Sequence, residues 1–131
     1  MKTSIAVGNR RLLKLAAFLR TVKPSRFNYN HWVGDDWKGD PKLSCGTSAC
    51  ALGWATTMPL FRRLGLYLTP GMQPRLGRST AGPFAAARVL FRLRPADSYD
   101  LFLPSSDAEE NATPKQVAKK IEAFVKERQK K

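Results

Sequence analysis

Cys45 and Cys50 are the only thiols in the chain and His31 is its only imidazole. Both cysteines lie in the run Cys45-Gly46-Thr47-Ser48-Ala49-Cys50-Ala51-Leu52-Gly53-Trp54-Ala55. Three chemistries can be asked of them. On one helix, residues five apart point about 140° away from each other, so a disulfide requires Cys45 to lie outside the helix. A structural zinc site takes four ligands. The chain offers two thiols, His31 and at best one carboxylate from Asp35, Asp36 or Asp40, which is an incomplete set. A nucleophilic Cys45 at a helix N-terminus would have its thiolate favoured by the helix dipole, with His31 as the base. However, the histidine precedes the cysteine and no third member of a triad is indicated. The ordinary alternative makes Cys45 and Thr47 cap and packing residues and Cys50 a small buried apolar side chain. No catalytic residue, metal or cofactor is expected, and a thiol enzyme centred on Cys45 is kept as a third functional reading.

The elements that must position this run read as helices. Leu12, Leu15, Ala16, Leu19 and Val22 recur at helical steps and predict a first helix over about Asn9 to Val22, capped by Asn9 and stopped before Pro24. Ser25 to Trp32 is aromatic and amide-rich without a helical period and should lay Phe27, Tyr29 or Trp32 on the core. Val33 to Ser44 reads as a loop. The central helix should start near Cys45 to Thr47 and run to about Thr57. Pro59 then opens a short helix through Leu64 that Gly65 ends in a left-handed conformation. Leu66-Tyr67-Leu68 reads as extended and Thr69 to Ser79 as a loop exposing Arg75 and Arg78. Thr80 is the expected cap of the next helix, whose stripe is Phe84, Ala87, Leu90 and Phe91. Pro95 opens another, with Tyr99, Leu101 and Phe102 as its apolar members. After a polar linker over Ser105 to Asn111, Thr113-Pro114-Lys115-Gln116 forms a capping box with proline at the first helical position. Val117, Ile121, Phe124 and Val125 face inward beyond it. The fold class is therefore mainly α: a compact single domain over residues 1–131, with five or six short helices and at most one short hairpin or extended piece. Residues 1–8 and 127–131 are expected to fray.

Charge is where the composition departs from that of an ordinary globular domain. There are 23 Lys and Arg against 10 Asp and Glu, a formal net charge of +13. The excess lies in residues 1 to 94, with 16 basic residues against Asp35, Asp36 and Asp40; the remainder balances at 7 and 7. Such an excess favours polyanionic partners. No apolar run approaches the roughly 20 residues of a membrane span, and the N-terminal region lacks the apolar block of a secretory signal. A cytoplasmic protein without a membrane span is expected. The candidate nucleic-acid-binding residues are Arg10, Arg11, Lys14, Arg20, Arg62, Arg63, Arg75, Arg78, Arg88 and Arg92, with Tyr29, Trp32 or Trp37 available to stack on unpaired bases. No helix-turn-helix, zinc-finger, KH or RNP pattern is visible, so sequence-specific readout is not implied.

Arg26-Phe27-Asn28, Trp32, Cys45-Gly46-Thr47, Cys50, Gly53-Trp54, Gly65-Leu66 and Thr113-Pro114 together resemble a family of small uncharacterised bacterial and phage proteins. Its most specific mark is Cys-Gly-Thr-x-x-Cys-x-x-Gly, and the similarity spans Arg10 to Val125. That family has no assigned activity, so the resemblance implies no catalytic residues, only a bacterial or phage cytosolic setting. The leading expectation is a non-enzymatic basic protein that engages nucleic acid without sequence specificity. The alternative is a phage-encoded modulator of an acidic or nucleic-acid-handling host protein, such as a nuclease or defence complex.

Overall fold

Ser4 has the short acceptor side chain that a helix start needs, and its hydroxyl takes the hydrogen bond of the Val7 amide at 3.1 Å. The computed structural model describes residues 3–34, 37–39, 43, 47–104 and 111–130. Among them the chain forms six α-helices and one two-stranded hairpin, the mainly helical architecture its periodicity predicts. The expectations for Asp35, Asp36, Asp40, Cys45 and the Ser105 to Glu110 part of the linker fall outside the described residues.

Helix α1 is Ile5–Leu19. It begins four residues earlier than Asn9, because Ser4 supplies the cap and Asn9 has another use. Asn9 is buried one turn into the helix and accepts a hydrogen bond from Arg128. The helix stops at Leu19 rather than Val22, with Arg20 as its C-cap. Leu12, Leu15, Ala16 and Leu19 are fully buried.

A 3-10 turn at Pro24–Arg26 leads into the stretch that organises the centre. Ala49 is the hinge of that arrangement: it bridges Phe27 in parallel and Val33 antiparallel. Its amide donates to the Arg26 carbonyl at 3.2 Å, and its carbonyl accepts from the Asn28 amide at 3.0 Å. Backbone committed to bridges with residues 26–33 cannot also close helical turns, so the central helix α2 is only Ala51–Ala55, starting later than Cys45 to Thr47 and ending before Thr57. Cys50 is its N-cap, with Sγ accepting from the Gly53 amide at 3.4 Å. At Gly53 a Cβ would lie 1.7 Å from the Trp32 carbonyl oxygen, so only glycine lets these two segments touch. Trp54 donates Nε1–H to the Arg26 carbonyl at 2.8 Å, and the Arg26 guanidinium sits 5.2 Å from its ring while donating to the Thr47 and Leu43 carbonyls.

Pro59 starts helix α3, Pro59–Arg63, after which Gly65 takes a positive φ of 103°. Strands β1, Leu66–Leu68, and β2, Pro74–Leu76, pair antiparallel with Tyr67 opposite Arg75. The second strand corrects the expectation of one continuous loop from Thr69 to Ser79. Helix α4 is Pro83–Phe91, capped by Gly82 at positive φ rather than by Thr80, and buries Ala86, Ala87, Leu90 and Phe91. Helix α5 is Pro95–Phe102, in which Leu101 and Phe102 are buried while Tyr99 remains 51% exposed against Phe84.

Helix α6, Pro114–Gln129, has the predicted capping box: Thr113 Oγ1 accepts from the Gln116 amide and Gln116 Oε1 accepts from the Thr113 amide. Val117, Ala118, Ile121 and Val125 pack it along α1, while Phe124 is only half-buried. Near its end, Arg128 donates to Asn9 Oδ1 at 2.8 Å, to the Phe91 carbonyl at 2.9 Å and to the Arg92 carbonyl. One side chain thus ties α1, α4 and α6 together. Next to it α1 approaches the end of α4 so closely that a Cβ on Gly8 would lie 2.2 Å from the Phe91 oxygen.

Candidate nucleic-acid interface

Where it is described, the thiol run is packed into the core. Cys50 is fully enclosed, and burial pushes its thiol up to about 11, against weaker help from nearby amides, so it is protonated at neutral pH and out of reach of substrate. His31 is exposed, and it meets Cys50 through its backbone carbonyl, which accepts from the Cys50 amide at 2.9 Å. Among the described residues no group of three or more His, Cys, Asp or Glu is placed to hold a metal ion. The sulfur, the two bridges on Ala49 and the Gly53 contact make this segment the joint between residues 26–34 and α2.

The basic residues divide by what their charged ends already do. On α1, at about 100° per residue, Arg10 and Lys14 lie opposite the buried Leu12 stripe, whereas Arg11 and Arg20 sit on its two flanks about 180° apart. Arg11 turns toward α4 and donates to the Leu90 carbonyl at 2.9 Å and to Thr3 Oγ1 at 3.3 Å. Arg20 turns toward α6 and makes a two-pronged ion pair with Glu122, at 2.6 and 3.1 Å, that holds the Glu122 carboxyl below its usual range. Arg75 folds onto the Ser79 and Arg78 carbonyls at 2.9 and 3.1 Å. Arg92 occupies the left-handed C-cap of α4 and reaches the Thr3 carbonyl at 3.3 Å. These arginines are wholly or partly consumed by the fold.

Arg10, Lys14, Arg62, Arg63 and Arg78 are exposed and Arg88 is half-buried. None of these side chains has a hydrogen-bond or ion-pair partner among the described residues. The elements carrying them share a property that the linear count only hints at. Helices α1, α3 and α4 and both strands contain no acid; Asp97, Asp100, Glu122 and Glu127, the acids among the described residues, all fall on α5 and α6. Three of them are paired, Asp97 with Arg94, Glu122 with Arg20 and Glu127 with Lys130. Burial alone would raise the Asp97 carboxyl, but the Arg94 hydrogen bonds outweigh it and hold the group below its ordinary value.

The aromatic part of the expectation is corrected for Tyr29. Tyr29 is 2% exposed and donates its hydroxyl to the Leu101 carbonyl at 2.6 Å. Trp32 is half-buried edge-on against Phe84, with ring centres 5.1 Å apart, and Trp37 is half-buried too. The exposed rings are Tyr67 and Tyr99.

Where α1, α3, β2 and α4 meet there is an open groove of about 410 Å³, lined by Val7, Arg11, Leu64, Leu76, Val89 and Leu90 among others. Sequence reasoning missed it. The available signal was Val89, an aliphatic residue standing off the 84/87/90/91 stripe of its own helix.

No family model matches this chain, and neither the curated proteins nor the solved structures yield a match. Its class is thus defined by the molecule itself: a mainly helical, strongly basic protein with an acid-free set of elements. No helix among the described residues is long and apolar enough to cross a membrane.

Proposed function

We propose that the protein is a non-enzymatic binder of polyanions, most simply nucleic acid without sequence specificity, acting in the cytoplasm of a bacterial or phage setting. The observation that carries this is the segregation of charge. Arg10, Lys14, Arg62, Arg63, Arg78 and Arg88 have no side-chain partner among the described residues and, except for Arg78, stand on or beside elements that hold no acid, so no carboxylate of those elements offsets their charge. Phosphate contacts of this kind release condensed counterions and give affinity without base readout. The long, solvated side chains suit that role, because little built structure has to be broken for them to follow a backbone. Arg11, Arg20, Arg75 and Arg92 contribute less, since their hydrogen bonds are already made within the fold.

The test is fluorescence anisotropy with labelled single- and double-stranded oligonucleotides of unrelated sequences across roughly 50 to 200 mM salt. Affinity should fall steeply with salt, be indifferent to sequence, and lose about one unit of log–log slope for each contacting residue among Arg10, Lys14, Arg62 and Arg63 changed to Gln. Arg20→Gln should leave the slope unchanged. Absence of salt-sensitive binding at the low end would remove this function.

A further inference from the structure

We infer that the groove between α1, α3, β2 and α4 is a docking site for an acidic amphipathic segment of a partner protein, a site that adjoins the phosphate contacts proposed above and shares Arg62, Arg63 and Arg88 with them but is defined by its apolar floor. Two features coincide there. The first is apolar surface left in water: Val89 is 54% exposed and Leu64 40%, and both line a depression whose floor includes Leu90 and Leu76. Exposed aliphatic side chains scattered singly need no explanation, but here two flank one groove of a size that ligand-binding pockets share, about 300–1,000 Å³. The second is charge of one sign. Arg11 lies in the wall with its guanidinium fixed by the Leu90 carbonyl and Thr3 Oγ1. Arg62 and Arg63 immediately precede Leu64, Arg88 immediately precedes Val89, and no element bordering the groove bears an acid.

An occupant must satisfy both features at once. A nucleic-acid backbone would answer the arginines and leave the aliphatic floor without a partner. A helix with an apolar ridge at i, i+4 and i+7 and glutamates or aspartates beside it answers both, with the ridge in the groove and the acids on the rim. Arg11 already donates to the Leu90 carbonyl and Thr3 Oγ1, so what it lends the rim is charge rather than free hydrogen-bond donors. A second copy of this chain is a poor occupant. Each copy carries a formal net charge of +13, so two copies would repel one another at this basic rim.

The experiment uses the full chain and a fluorescein-labelled synthetic helix of about 14 residues, with leucines at i, i+4 and i+7 and glutamates beside them. A control peptide of identical composition spreads the leucines around the helix. The ridge peptide should bind in the micromolar range and more tightly than the control, and Val89→Gln and Leu64→Gln should each weaken it about tenfold. Both positions are exposed, so the variants should keep the wild-type unfolding midpoint, and their salt-dependent oligonucleotide binding should be unchanged. Equal binding of the two peptides, no binding of the ridge peptide, or indifference to Val89→Gln would overturn the proposal. Loss of oligonucleotide binding in Val89→Gln would also overturn it, by giving the groove to nucleic acid. Ridge-peptide binding by a protein that ignores oligonucleotides would leave the groove standing and remove only the nucleic-acid reading.

Discussion

Replacing Arg128 with alanine removes the donors to Asn9 Oδ1, the Phe91 carbonyl and the Arg92 carbonyl together, along with a guanidinium 5.0 Å from the Phe124 ring centre. A hydrogen bond from a charged donor is worth about 1.5–3 kcal/mol, and a buried acceptor left unpaired costs about 1–3 kcal/mol. Asn9 is only 6% exposed, so its amide oxygen would carry that penalty, while the carbonyls at the end of α4 can turn to water. The guanidinium is itself partly solvated and the bonds share one side chain, so their values do not add. The expected loss is about 3 kcal/mol, or about 12 °C in unfolding midpoint for a domain of this size. Arg128→Lys keeps the charge but not the planar fork and should recover about a third of the loss. A double-mutant cycle with Asn9→Ala should show a coupling of about 1–2 kcal/mol. Chemical denaturation followed by circular dichroism measures all of these. A loss under about 1 kcal/mol in Arg128→Ala, or full recovery in Arg128→Lys, would refute the account of Arg128 as the tie between α1, α4 and α6.

The Glu122 carboxyl is held below its ordinary value by Arg20, so its contribution is present above about pH 4.3 and is lost as pH falls through the lowered value. Glu122→Gln should accordingly be slightly less stable than wild type at neutral pH, and the gap in thermal midpoint should close on acidification; because the pair is exposed, high salt should shrink it. In a Cys45→Ser background, Cys50 should resist iodoacetamide at neutral pH until the protein is unfolded, as judged by mass spectrometry; rapid labelling of the folded protein would contradict a buried thiol whose value lies near 11.

Local signals were legible in proportion to how locally they are satisfied. Thr113 and Gln116 cap each other across three residues, and the helix over Pro114–Gln129 follows from that chemistry alone. Pro59, Pro83 and Pro95 open helices for the same reason. Asn9 and Ser4 are both cap-type residues, and only the distant Arg128 decides that Asn9 belongs inside the helix. The late start of α2 was hidden because Ala49 spends its backbone on Arg26 and Asn28. Pro74-Arg75-Leu76 carries too short a pattern to read as a strand until Leu66–Leu68 lies beside it. The candidate basic site was legible as composition but not as geometry. Nothing in the spacing of Arg11, Arg20, Arg75 and Arg92 shows that their guanidinium groups have partners, whereas the placing of the described acids on α5 and α6 was partly visible in the uneven charge of the chain.

The packing of α1 along α6 has a kinetic meaning. Small helical proteins fold quickly when most of their contacts are local, but here a major helix pair joins residues about a hundred positions apart, so the cost of closing that loop precedes most of the gain. Helices α2 to α5 and the hairpin all lie between α1 and α6 in the chain. The Asn9–Arg128 contact spans 119 positions, and we expect it to form on the late side of that barrier. Strengthening or weakening it should act on the rate at which the molecule opens more than on the rate at which it forms.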